Sequence, residues 1–279
     1  DSGGMPVHAV VVEPLRQIDA QVGGDVSLQQ RQQDHRAVAQ EVSGRGVADS
    51  EPLAEWREAQ VKAGFARSSS ADCTAPAFDL IETMRFDPEE GIPLLEGHLA
   101  RISASAHELG FAFDRHAARN QIQALSFDLD APAKVRLTCA RSGTTAIEVA
   151  PLPETPTEPL DCIALPLPVD AGDWRLRHKT TDRGFYADAL AAAHELDAHE
   201  ALLVQDDGLV TEGSWTSVFV ERDGVLATPP RAIGLLPGVL RDSLIAEGRA
   251  VEAELTLDDL ENGFWIGNAV RGLMRARLI

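Results

Sequence analysis

Two apolar runs folded back on Asp-Gly turns, ALLVQDDGLVTE (201–212) and SVFVERDGVLAT (217–228), constrain this chain more than any other feature. An Asp-Gly pair tolerates the positive φ angles of a tight hairpin turn, so each run reads as two antiparallel strands. Around them the pattern changes character repeatedly. FDLIETMRF alternates like a strand, PEEG breaks it, and IPLL resumes it, which predicts a hairpin. EGHLARISASAHELGF places Leu95, Leu99, Ile102, Ala106 and Leu109 at helical spacing, with Gly110 as the C-cap. ARNQIQALSF reads as a second helix, and KVRLTCAR with TTAIEVAPL as a strand pair turning at Ser-Gly. The proline-rich PLPETPTEPL is a connector, and CIALPLP is another strand. LLPGVLRDSLIAEG turns at Pro-Gly and becomes a helix, followed by a short strand in VEAEL and a short helix in TLDDLEN. Strands and helices mix without regular alternation, which argues for an α+β chain with two subdomains.

The N-terminal region is less regular. Residues 1–45 keep no period, and VHAVVVEPL has strand character without an evident partner, so this segment reads as irregular or disordered. EPLAEWREAQVKAG (51–64) reads as an amphipathic helix, and ARSSSADCTAP as a small-residue linker.

Charge narrows the partners. The 279-residue chain carries a formal net charge of −19, which repels nucleic acid and anionic membranes. No apolar run approaches the ~20 residues of a membrane helix, and DSGGMPVHAV lacks the order of a signal peptide. Three widely spaced cysteines, Cys73, Cys139 and Cys162, imply free thiols in a reducing cytosol. His194 and His199 stand five apart, where a zinc-binding helix needs four, so no metal is expected.

Individual residues leave alternatives open. Lys179 precedes an alanine-rich helical run: it is either a solvated lysine or one placed for covalent chemistry. A cation at a helix start mildly opposes the macrodipole, which keeps the second reading open beside the first. Seven residues on, Tyr186 would share its face if the helix began at the lysine. Glu212 is either an exposed strand-end carboxylate or one aimed at a protonated ring nitrogen. Gly238-Val239-Leu240 opens a helix and suits an anion, as does the turn Gly267-Asn268-Ala269. Arg101 stands at the edge of the buried helical stripe, where it either snorkels or binds.

Six motifs in order carry a resemblance: FDLIETMR (78–85), HLARISASA (98–106), HKTTDR (178–183), VTEGSWTSVF (210–219), LPGVLR (236–241) and IGNAVRGL (266–273). From about residue 78 onward the chain resembles the class IV pyridoxal-phosphate (PLP) aminotransferases, the group that includes branched-chain and D-amino-acid aminotransferases and aminodeoxychorismate lyase. The resemblance implies the two-domain α+β architecture of fold type IV. Residues 78–160 would form the smaller N-terminal α/β domain and 161–279 the larger, strand-rich, PLP-binding domain. It also implies a set of roles. Lys179 would carry PLP covalently and be the catalytic base, its pKa pushed down by burial and by cations such as Arg183. Glu212 would pair with the pyridinium nitrogen, and Tyr186 would stand beside the ring hydroxyl. Arg101, Val239, Leu240, Asn268 and Ala269 would hold the phosphate. Arg136, Arg183 and Arg271 are candidates for the substrate's carboxylates. Ser217 stands where the family often has Asn, and Leu240 where it often has Thr, which removes a hydroxyl from the phosphate cup.

GVADSEPLAEWREAQVKAGF (46–65) is similar to the last segment of the chorismate-using synthase that makes aminodeoxychorismate. Together these imply a cytoplasmic, homodimeric aminodeoxychorismate lyase of folate biosynthesis, derived from a synthase–lyase fusion, with residues 46–77 as the synthase tail. The alternatives are a branched-chain or D-amino-acid aminotransferase, and a non-catalytic remnant of the fusion.

Overall fold

The computed structural model describes residues 9–10 and 78–279. The expected helix at 51–64, the linker after it and the synthase-like stretch therefore lie outside the described residues.

A four-stranded antiparallel sheet opens the fold. Its strands are β1 (Ala9–Val10), β2 (Leu80–Phe86), β3 (Ala133–Cys139) and β4 (Thr145–Pro151), in the order β1-β4-β3-β2. The two residues of β1 give the VHAVVVEPL run a partner, pairing with Glu148 and Ile147, so these two positions are not irregular as expected. Alternation in β2 puts Leu80, Met84 and Phe86 on one buried face. Against it pack helix α1 (Leu95–Leu109) and helix α2 (Arg115–Ala124), supplying Leu99, Ile102, Ala106, Ala118 and Ile122 to one apolar core. Gly110 ends α1 in the left-handed conformation (φ 72°), as its position predicts. Asp114 caps α2 by accepting from the N–H groups of His116 and Ala117. The hairpin expected at PEEG-IPLL is instead one turn. Asp87 and Gly91 exchange both backbone hydrogen bonds, and the chain then enters α1 before a second strand can pair.

After the connector comes an eight-stranded mixed sheet. Its strands are β5 (Leu160–Pro166), β6 (Glu200–Val204), β7 (Val210–Gly213), β8 (Ser217–Arg222), β9 (Val225–Thr228), β10 (Ala250–Glu252), β11 (Phe264–Asn268) and β12 (Gly272–Leu278), ordered β10-β9-β8-β11-β12-β5-β6-β7. Both Asp-Gly hairpins form. In the second, Asp223 and Gly224 take φ 53° and 81°, the double positive φ its turn requires. The sheet curls until its ends meet: the Val210 N–H on β7 donates to the Leu255 carbonyl just beyond β10. A second core lies inside the curl, with Leu202, Val218, Leu255, Phe264, Ile266 and Met274.

Two more helices follow among the described residues, α3 (Gly184–Glu195) and α4 (Val239–Ala246). The expected helix at TLDDLEN is a 3-10 turn, Leu257–Leu260, closed by a Thr256/Asp259 capping box. No helix among the described residues is long and apolar enough to cross a membrane.

Candidate active site

Lys179 does not lie on a helix. Helix α3 starts only at Gly184, and the segment before it is tied to β2: Ile81 N–H donates to the Lys179 carbonyl, and Thr181 N–H to that of Asp79. The shared-face argument for Tyr186 therefore fails, because it assumed a continuous helix from the lysine onward. The extended tether instead drops the Lys179 side chain into a cavity of about 170 Å³.

The cavity gathers residues from distant parts of the chain. Thr83, His98, Arg101, Lys179, Arg183 and Glu212 line it together with the 213–217 turn, the start of α4 and the 267–270 turn. Seven of the residues singled out for PLP or catalysis thus meet in one place: Lys179, Arg101, Glu212, Val239, Leu240, Asn268 and Ala269.

Burial is the largest influence on Lys179 and holds its ammonium well below the ordinary lysine range; Arg183 and then Arg101 push it further down. Glu82 and Glu212 pull the other way and do not prevail. The site therefore disfavours the ammonium form of the lysine. Burial also dominates at Glu212, raising its carboxyl to about 7 against the hydrogen bonds and cations that lower it. Glu212 Oε1 accepts from Tyr186 Oη at 2.5 Å and from the Leu236 N–H at 3.1 Å. Its Oε2 takes no hydrogen bond from the described residues, which leaves one oxygen for a protonated ligand nitrogen. Tyr186 itself is buried, with its hydroxyl donating to the Glu212 carboxylate. The Arg183 guanidinium lies 4.7 Å from the Tyr186 ring centroid and donates to the Ser214 carbonyl at 2.9 Å.

A buried charge network that sequence reading missed fixes Arg101. Glu82 is 1% exposed; its Oε2 meets His98 Nδ1 at 2.6 Å and Arg101 Nη2 at 2.5 Å, and its Oε1 accepts from Arg101 Nε at 2.9 Å. Arg101 Nη1 donates to the Pro237 carbonyl just ahead of α4. Burial alone would raise the Glu82 carboxyl, but Arg101 and His98 together bring it down to about 2. A signal was available. In LIETMRF, Glu82 alternates with Leu80, Met84 and Phe86, which puts a carboxylate on the core face of a strand.

The anion cup is built from backbone. Gly238 caps α4 without a side-chain hydrogen bond, so the Val239 and Leu240 N–H groups have no capping acceptor. A Cβ at Gly238 would stand 2.5 Å from Ser217 Oγ, which keeps the cup floor bare. Asn268 holds its turn through Oδ1, accepting from the Val270 and Arg271 N–H groups. A lysine whose ammonium is disfavoured, a half-free carboxylate in the same cavity and a helix N-terminus beside a pinned arginine fit PLP: a site for its carbonyl, its ring nitrogen and its phosphate.

Of the expected substrate arginines, only Arg183 lines the cavity. Arg136 on β3 stands directly opposite Thr83, which places both on the cavity-facing side of the small sheet. Arg271 lines an adjoining cleft of about 340 Å³, with its guanidinium 4.9 Å from the Trp215 ring centroid.

Residues 79–279 match the model of the family described as amino-transferase class IV. A Schizosaccharomyces pombe protein named "Putative aminodeoxychorismate lyase" is 29% identical over 196 residues, which cover 66% of this chain and 82% of that one. The structure named "Putative amino-acid aminotransferase" from Mesorhizobium loti superposes with a TM-score of 0.68 and 37% identity, covering 72% of this chain and all of that one. The PLP-bound form of a Mycobacterium tuberculosis protein described as a hypothetical aminotransferase gives a TM-score of 0.62 at 25% identity, over 72% of this chain and 81% of that one.

Proposed function

The chain belongs to the class IV aminotransferase family, whose members depend on PLP, and we propose that it is a 4-amino-4-deoxychorismate lyase releasing p-aminobenzoate and pyruvate for folate synthesis. The observation that carries this choice within the family is the likeness to the S. pombe protein, which extends over 82% of that protein's length.

Bound PLP supplies a protonated ring that takes up the electrons released when the amine-bearing carbon loses its proton. The chain's residues do the rest. Lys179 Nζ would hold the cofactor covalently. Burial and Arg183 disfavour its ammonium, which suits the freed amine to remove that proton. Glu212 Oε2 would pair with the ring nitrogen. The Val239 and Leu240 N–H groups, with Arg101 held by Glu82, fix the phosphate. The enolpyruvyl group leaves as the substrate ring becomes aromatic, and Lys179 returns a proton to the departing pyruvate. Arg183, Arg136 and Arg271 offset the substrate's two carboxylates locally against a chain of net charge −19. By resemblance to the family the enzyme acts as a cytoplasmic homodimer, and the 46–65 stretch marks descent from a fusion with a chorismate-using synthase.

The 37% identity to the M. loti protein favours a second reading, amino-acid transamination. Incubation with aminodeoxychorismate separates the two: the lyase yields p-aminobenzoate and pyruvate without an amino acceptor. Transfer of the amino group to 2-oxoglutarate without p-aminobenzoate overturns the lyase assignment.

A further inference from the structure

Glu200, the first residue of β6, plays no part in the chemistry above, yet it is fully buried and surrounded by donors. Its Oε1 accepts from the Ala201 N–H at 2.9 Å, the Ser214 N–H at 2.9 Å and Ser214 Oγ at 2.5 Å. Its Oε2 accepts from Thr216 Oγ1 at 2.8 Å and, at 3.4 Å, from the Trp215 N–H. Five donors converge on two oxygens, a pattern that suits a carboxylate and leaves no acceptor for an amide nitrogen. Four of the five belong to Ser214–Thr216, the turn that joins β7 to β8. The turn packs so closely on Glu200 that a Cβ at Gly213 would stand 2.7 Å from its Oε2 and 2.3 Å from Thr216 Oγ1.

Residues 213–217 form one wall of the lysine cavity. The Ser214 carbonyl, in that same turn, accepts from Arg183 Nη2 at 2.9 Å. The Tyr186 ring flanks the guanidinium at 4.7 Å. The chain of contacts runs from Glu200 through Ser214 to Arg183, the foremost of the cations acting on Lys179.

We propose that Glu200 is a positioning residue for the reaction, holding the 214–216 turn so that the Ser214 carbonyl locks Arg183 beside Lys179. The proposal rests on Lys179 being the reactive lysine. The charged groups acting on that lysine are Arg183 before α3, Arg101 and His98 on α1, Glu82 on β2 and Glu212 on β7. Across the sheet from Glu200 the titratable neighbour is Cys162 on β5. Burial raises the Glu200 carboxyl to about 7 against its hydrogen bonds, so its hold is complete only above neutrality.

The sign of the effect separates positioning from direct charge. Removing an anion lowers the pKa of a nearby ammonium, whereas loosening Arg183 raises it. The test is competitive acetylation of the PLP-free protein across pH, with Lys179 followed by peptide mass spectrometry. Glu200→Gln moves the Lys179 midpoint up by about half a pH unit, a roughly threefold loss of neutral amine at a given pH below the midpoint. Arg183→Ala moves it up further, and adding Glu200→Gln to Arg183→Ala moves it no more. PLP capture, followed by absorbance, slows in the same order. If Glu200→Gln does not fold, Ser214→Ala removes one of the five donors and is compared in the same two backgrounds. An equal shift in both backgrounds, no shift, or a downward shift overturns the role of Glu200. A wild-type Lys179 that titrates as an ordinary lysine overturns the reading of the site as a whole.

Discussion

Replacing Tyr186 with Phe removes one atom, the hydroxyl that donates to Glu212 Oε1 at 2.5 Å. The ring remains, so packing against Phe185 and Arg183 is preserved. Oε1 then keeps only the Leu236 N–H. A hydrogen bond to a charged group contributes about 1.5–3 kcal/mol, equivalent to about 1–2 pKa units. Burial already lifts the Glu212 carboxyl to about 7, and Tyr186→Phe lifts it to roughly 8–9. The group must be ionised to pair with a protonated ring nitrogen, so the acid limb of the activity profile moves to higher pH. In the PLP-free protein the ionised fraction at pH 7 falls from about one half to between about one tenth and one hundredth. Bound PLP lowers both starting values alike, so the displacement between variants is the quantity to measure. The assay is p-aminobenzoate fluorescence from pH 5.5 to 9.5, with PLP affinity measured alongside. A variant equally impaired at every pH, or one whose acid limb does not move, refutes the reasoning.

Lys179→Ala abolishes covalent capture of PLP, seen as loss of its protein-bound absorbance band, and lowers turnover by at least about 10²–10⁴-fold. Glu82→Gln leaves His98 and Arg101 without their buried anion and costs about 3–5 kcal/mol, read as a fall in melting temperature of roughly 6–20 °C. Because the folded Glu82 titrates at about 2, below its ordinary 4.5, its contribution is present above pH 4.5 and is lost as the pH falls toward 2. Glu212 shows the opposite sign: raised to about 7, it makes the PLP-free protein less stable as pH rises from 4.5 to 7, by about 3 kcal/mol, and Glu212→Gln flattens that part of the stability profile. Gly213→Ala pushes a methyl group into Thr216 Oγ1 and Glu200 Oε2, and lowers stability by about 1–3 kcal/mol together with PLP affinity.

Local signals carried much of the fold. The Asp-Gly turns and the Gly110 cap are written in a few adjacent residues, and the structure uses them as written. The PEEG-IPLL hairpin failed because helix formation from Leu95 competes for the residues a second strand would need. The site divided along the same line. Lys179 and the two backbone turns were visible because loops that carry chemistry keep recognisable residue patterns. The geometry of Tyr186 was not, since it depends on where α3 begins and on a partner 26 residues away. Glu82 and Glu200 were passed over because an acidic residue in or at the start of a strand is read as solvent-facing. Their burial is legible only once their partners, 14 to 19 residues distant, are brought to them.

The most direct test of the central claim is the product assay on the purified, PLP-loaded protein supplied with aminodeoxychorismate and no amino acceptor. The site described here predicts p-aminobenzoate and pyruvate in equal amounts, with both lost in Lys179→Ala. Amino-group transfer to 2-oxoglutarate with no p-aminobenzoate contradicts it.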